Sequence, residues 1–210
     1  METGAPLGSA RSGSREFRAV VATATVPRVE IASTRLAGLV VLTPRVFGDE
    51  RGFFLESFRV EHLADAGITH DWVQDNHSRS ARGVVRGLHY SVGGGQAKLV
   101  RCARGEVYDV AVDLRPGSPT FGEWEAVTLS DENHRQLYIP VGFAHGFCVL
   151  SEVADVTYKC SAYYDPALER ELAFDDPAIG VRWPVEHPIV SVRDRSAPRL
   201  SEVAHELQFA

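Results

Sequence analysis

Glu106-Val-Tyr-Asp-Val-Ala-Val-Asp-Leu114 alternates with a period of two. Successive side chains of a strand point to opposite faces, so Tyr108, Val110, Val112 and Leu114 share one face and Val107, Asp109, Ala111 and Asp113 share the other. Acids set among small apolar residues on that second face fit a barrel whose lumen holds a polar site. Working outward, strand-like runs fill 72–79, 84–91, 97–104, 122–130, 135–140, 145–151 and 154–164. They recur at the spacing of about 8 to 12 residues that marks an all-β sandwich or barrel. Turn formers separate them: Gly93-Gly94-Gly95, Arg104-Gly105, Pro116-Gly117-Ser118-Pro119, Asp131-Glu132-Asn133 and Pro140-Val141-Gly142.

Before these strands the pattern is looser. Residues 1–28 are rich in Gly, Ser, Ala and Arg and read as a disordered or loosely attached leader, with a short Val/Ala/Thr run from Val20 that could add an edge strand. A single domain is expected over 29–210. Leu36 to Leu42 reads as a strand running into Pro44, and Phe47 to Phe58 as a turn followed by an aromatic strand with Arg51 at its end. Val60 to Ala66 has a helical pattern that Gly67 would stop. After Asp165-Pro166 the chain is loop-rich, with short helices expected at 167–171 and 201–207.

The chain has 210 residues, 44% hydrophobic, and carries a net charge of −6. That length can bury a sizeable core, and the negative balance argues against a broad nucleic-acid or anionic-membrane surface. Lys98 and Lys159 are the only lysines among 22 basic residues, so most positive charge is the forked guanidinium suited to phosphate. Cys102, Cys148 and Cys160 lack metal-site spacing, sit in apolar runs and read as buried thiols. With no apolar run of membrane-spanning length and no secretory n-region and h-region, a cytoplasmic protein with no membrane partner is expected.

Chemistry concentrates at Arg86-Gly-Leu-His-Tyr90, where a histidine lies between an arginine and an aromatic. A lone strand histidine is usually structural, so any catalytic role needs partners, for which Lys98, Asp109, His145, Tyr158 and Asp194 are the candidates. Arg86 and His89 are three apart, which on a regular strand sends them to opposite faces, and a bulge at Gly87 would restore a common face. Pro140-x-Gly142-x-x-His145 resembles the second motif of the cupin superfamily of small, often metal-binding β-barrels. The first motif there supplies His-x-His, whereas this chain has His89-Tyr90-Ser91, so the metal-free reading stands above the metal one.

A fuller resemblance rests on eight motifs in order: Phe47-Gly-Asp-Glu-Arg-Gly-Phe-Phe54, Gln74-Asp-Asn-His-Ser78, Arg86-Gly-Leu-His89, Lys98-Leu-Val100, Gly105-Glu-Val-Tyr-Asp109, Ser118-Pro-Thr-Phe-Gly122, Gly142-Phe-Ala-His-Gly-Phe147 and Tyr163-Tyr-Asp-Pro166. Together they resemble the dTDP-4-dehydrorhamnose 3,5-epimerase family over roughly residues 36–200. The resemblance implies an all-β cupin or jelly-roll barrel with a few short peripheral helices, acting as a cofactor-free homodimer. Its implied substrate is a dTDP-linked 4-keto-6-deoxy sugar from rhamnose or antibiotic-sugar biosynthesis, inverted at C3, C5 or both.

By resemblance, His89 matches the base, Asp194 the carboxylate that orients it, Lys98 the cation beside the keto oxygen and Tyr158 the acid on the other face. Arg51, Glu56, Gln74, Asn76 and Arg86 match nucleotide and diphosphate contacts, with Arg51 expected to reach across a dimer, and Tyr164 matches a second tyrosine near the nucleotide or sugar. His145 either touches substrate or forms a polar pair with Asp109 behind the base. Asp176 is the rival to Asp194. Other readings are a mono-epimerase, a 3,4-ketoisomerase, a non-catalytic sugar-nucleotide barrel and a metal-dependent cupin.

Overall fold

The computed structural model describes Met1 and residues 29–209. The expected leader and the edge strand from Val20 lie outside the described residues, Met1 and Val29 apart. In chain order, β1 (Glu30–Ser33) and β2 (Val40–Thr43) precede a hairpin of β3 (Val46–Asp49) and β4 (Gly52–Leu55), then helix α1 (Val60–Asp65). The strands β5 (Gln74–Ala81), β6 (Val85–Ser91), β7 (Lys98–Arg104), β8 (Glu106–Asp113), β9 (Trp124–Ser130), β10 (Gln136–Ile139), β11 (Phe143–Val149) and β12 (Val153–Cys160) follow the repeated runs closely. After them come β13 (Glu169–Glu171) and the short helices α2 (Val192–Arg195) and α3 (Leu200–Val203), the last continued by a 3-10 turn.

Two antiparallel sheets face each other in a jelly-roll sandwich. One has the order β1-β2-β10-β7-β12-β5 and the other β13-β6-β11-β8-β9, while among the described residues β3 and β4 pair only with each other. The alternation of β8 explains the layering. Val107 and Ala111 point between the sheets, into a core with Val100, Leu129, Leu137, Phe147 and Val156. Val110, Val112 and Leu114 point outward, where the C-terminal segment covers them with Leu172, Ile179, Leu200, Val203 and Leu207. Each such fully buried aliphatic side chain contributes about 1.5–3 kcal/mol of burial free energy. Helix α1 caps the outer side of the six-stranded sheet by lodging Leu63 against Leu42, Leu99 and Tyr138. It ends as expected, with Gly67 at φ +75 donating to Ala64 O.

Asp113, at the end of β8, is fully buried and anchors the β8–β9 loop. Arg115 grips it with two nitrogens at 2.8 and 2.7 Å, and the Ser118 and Thr120 hydroxyls donate at 2.6 and 2.7 Å. Burial alone would raise this carboxyl, but those donors hold it down at about 2. Its part is architectural.

Two expectations need correction. Residues 167–171 do not form a helix: the Asp165 carboxylate and carbonyl accept from Ala167, Leu168 and Glu169 in one turn, after which Glu169–Glu171 joins β6 as an edge strand. An open sheet edge, invisible in local sequence, outweighs helix propensity there. The early strand is also shorter than Leu36 to Leu42, because Leu36 to Leu39 forms a turn through Gly38 at φ +90 and only Val40 onward pairs.

Candidate active site

Between the two sheets lies a cavity of about 140 Å³. Strand parity selects its walls. In β5, Gln74, Asn76 and Ser78 face inward, whereas Asp75 ion-pairs with Lys159 and Arg79 with Asp155 on the outside. From β7 comes Lys98, from β11 His145 and Phe147, and from β12 Tyr158. Arg86 and His89 both line it from β6, despite their three-residue spacing. The reason is a bulge: His89 stands opposite His145 and Arg86 opposite Phe147, so three steps along β6 match two along β11.

Gly87 makes the bulge possible. Its φ is +126, and a Cβ on it would lie 2.5 Å from Gly146 Cα and 2.8 Å from the His145 carbonyl oxygen. Gly146 is bare for the same reason, since its own Cβ would come within 2.7 Å of the Arg86 carbonyl oxygen. Two facing glycines thus let the strands approach closely and bring the arginine and histidine to one face.

The His89 Nε2 lies 2.7 Å from Asp194 Oδ1. Asp194 reaches it from α2, where the Ser191 hydroxyl caps the Asp194 N–H at 3.0 Å. Burial pushes the Asp194 carboxyl up, but the hydrogen bond and charge of His89, with Ser191 and the Gly87 N–H, outweigh it and hold the carboxyl below its ordinary value. A proton on Nε2 donated to this acceptor leaves Nδ1 with its lone pair, the form a general base requires. The rival Asp176 is engaged elsewhere, accepting from Leu200 N at 2.7 Å and Ala178 N at 2.9 Å to cap α3 and a turn.

Lys98 is 7% exposed, and its ammonium makes no hydrogen bond or ion pair to any described residue. Burial lowers its pKa, opposed most by the charge of Glu169. Tyr158 is pushed up by burial, so its phenol keeps its proton and can serve as a donor. Its ring meets that of His145 edge-on at 6.5 Å. His145 is itself held by the fully buried Asp109, with Nε2 2.9 and 3.0 Å from the two carboxylate oxygens. A second histidine–carboxylate pair therefore stands behind the first.

At the mouth, Arg86 donates from Nε to Ser80 Oγ at 2.9 Å. Tyr164 donates its N–H to Gln74 Oε1 at 2.8 Å, Gln74 Nε2 donates to Asn76 Oδ1 at 3.1 Å, and Asn76 Nδ2 to Cys160 Sγ at 3.4 Å. Two of the expected contacts stand apart from this cavity within the chain. Arg51 sits on the β3–β4 turn, 85% exposed, with Nε 3.1 Å from Asp49. Glu56 accepts from Arg59 at 2.7 Å and lies beside His62 under α1. Sequence reasoning missed Ser78, Gln96, Phe147 and Glu169 as lining residues. Period-two extension from Gln74 and Asn76 reaches Ser78, whereas Glu169 was hidden by the mistaken helix.

A sequence profile described as dTDP-4-dehydrorhamnose 3,5-epimerase matches residues 33–202. An epimerase of that name from Shigella flexneri is 51% identical over 79% of this chain and 93% of its own length. One from Neisseria gonorrhoeae is 52% identical over 79% of this chain, a match that spans 51% of that protein. The structure of a dTDP-6-deoxy-D-glucose-3,5-epimerase from Legionella pneumophila, in complex with dTDP-4-keto-L-rhamnose, aligns at a TM-score of 0.84 and 48% identity, covering 87% of this chain and 99% of that one. Motif order, half-identical relatives and the shared barrel agree, and on that footing the chain belongs to the dTDP-4-dehydrorhamnose 3,5-epimerase family.

Proposed function

We propose that the chain inverts C3, C5 or both of a dTDP-linked 4-keto-6-deoxyhexose by removing and returning a proton, without a cofactor. The observation that carries this reading is the partnerless Lys98 ammonium in a cavity whose walls also hold an oriented histidine base and a buried phenol. A ketone acidifies its neighbouring C–H bonds, so no redox group is needed. His89 takes the proton, and the C–H electron pair becomes the carbon–carbon double bond of an enolate as charge moves to the C4 oxygen. Lys98, free to donate, stabilises that oxygen as the charge develops. Tyr158 then delivers its proton to the opposite face of the carbon, inverting it, and solvent resets the tyrosinate and the imidazolium. Asp194 orients the ring.

Arg86, Gln74, Asn76 and Tyr164 are assigned to the nucleotide diphosphate end, with the guanidinium fork on phosphate oxygen. Arg51 and Glu56 join the site only if a second copy supplies them. The β3–β4 hairpin supports this. Among the described residues it pairs with no other strand, and it exposes Phe53 by 61% and Phe54 by 70%, the kind of apolar surface that a homodimer covers. Cys102, Cys148 and Cys160 are buried free thiols, which supports a cytoplasmic setting. No helix among the described residues is long and apolar enough to cross a membrane.

The test is incubation with substrate in deuterated water. Deuterium should enter C3, C5 or both, with NMR of the product reporting which carbon exchanges. The His89→Ala variant should show no exchange, and exchange at the wild-type rate in that variant would refute the base assignment.

A further inference from the structure

Glu169 and Glu171 occupy the same face of β13. Their register partners on β6 are Ser91 and His89, and directly opposed residues of an antiparallel pair share a face, so both carboxylates lie on the cavity side of the sheet. Their surroundings differ. Glu171 is closed by an ion pair with Arg193. Glu169 lines the cavity, and its carboxylate has no hydrogen bond or ion pair with any described residue. An unpaired anion therefore shares a cavity of about 140 Å³ with the unpaired ammonium of Lys98.

The other groups facing Lys98 cannot fill this role. Cys160 and Tyr158 on β12 keep their protons, both raised by burial. Asp109 on β8 is bound to His145 of β11, and Asp194 on α2 to His89 of β6. Arg86 on β6 is a cation, β5 contributes only Gln74, Asn76 and Ser78, and β10 places Ile139 beside Lys98. A buried ammonium with no counter-charge sheds its proton, and a neutral amine cannot stabilise an enolate.

We propose that Glu169 is a positioning residue for the epimerisation, the counter-charge that keeps Lys98 in its ammonium form while leaving its N–H groups free for the keto oxygen. The absence of a direct contact is the useful feature: a contact pair would occupy the donors, whereas a carboxylate across the cavity favours the charge and leaves them open. Glu169 also supplies the largest attractive charge acting on Lys98, in keeping with this placement. The inference rests on the epimerase reading and deepens it.

The decisive variant is Glu169→Gln, which keeps size and removes charge. Removing the anion makes Lys98 lose its proton at lower pH, so the high-pH limb of the rate profile moves down. Deuterium incorporation should then fall about tenfold more at pH 9 than at pH 6.5, because rate follows the ammonium fraction. Titration of dTDP into the variant should give the wild-type Kd, showing an intact fold and nucleotide end. Glu169 acts on Tyr158 as well, so the comparison is repeated in a Tyr158→Phe background, where the limb must still move. A loss equal at all pH values, an unchanged profile, or a shift that vanishes in the Phe background would each overturn the proposal. Absence of exchange in the wild-type enzyme would instead overturn the epimerase reading beneath it.

Discussion

Replacing Gly87 by alanine perturbs the point on which the site geometry turns. The new Cβ would sit 2.5 Å from Gly146 Cα and 2.8 Å from the His145 carbonyl oxygen, both backbone atoms that no rotamer change can move aside. The residue would also hold φ near +126, a region that L side chains rarely adopt. Backbone strain of that kind costs about 1–3 kcal/mol. Pressing one packed strand into another costs about 1–3 kcal/mol more. A destabilisation of about 4 kcal/mol is therefore expected, which for a domain of this size lowers Tm by about 8–16 °C. If β6 instead relaxes to a regular strand, Arg86 and His89 part to opposite faces, and misplacement by even 1 Å costs about a hundredfold in rate. Thermal melts and deuterium exchange on the same preparation read both effects. Gly94→Ala is the control: no atom lies within 4 Å of its Cβ, so stability should stay within about 0.5 kcal/mol. A Gly87→Ala protein that melts with the wild type and exchanges within threefold of it would refute the argument that the bulge brings the two side chains together.

Tyr158→Phe should still wash deuterium into the substrate, because His89 can return a proton from its own face, while inverted product falls about 10²–10⁴-fold; equal loss of exchange and inversion would contradict a separate acid on the opposite face. Phe53→Ser together with Phe54→Ser should convert the protein to monomers of 23.0 kDa in sedimentation experiments and weaken dTDP binding, whereas unchanged mass would show that the hairpin is not what joins two copies.

The strands were legible because two local signals agree in them. Residues 106–114 form a run rich in β-branched and aromatic residues, and turn formers such as Gly105 and Gly142, both at positive φ, punctuate the runs. Where structure depends on a distant partner, the sequence is silent. Glu169–Glu171 becomes a strand because β6 has an open edge, and that misreading concealed Glu169. Asp194 and Asp176 look alike as loop acids. Only their hydrogen bonds separate a partner of His89 from a helix cap, and family resemblance rather than spacing had favoured Asp194. The three-residue gap from Arg86 to His89 posed a parity conflict for which a bulge at Gly87 was the way out, and the register shift of β6 against β11 supplies it.

The His89–Asp194 bond joins residues 105 apart, and its carboxylate arrives on the segment that also covers the outer face of the five-stranded sheet. Synthesis runs from the N-terminus, so every strand of both sheets is made before Asp194 is added. A nascent or clipped chain ending after β13 would present a nearly complete pocket for a sugar nucleotide with an unoriented imidazole in it. On the proposed assignment, His89 gains its orienting carboxylate only when the segment carrying Asp194 has docked, so deuterium exchange would report that this segment is in place.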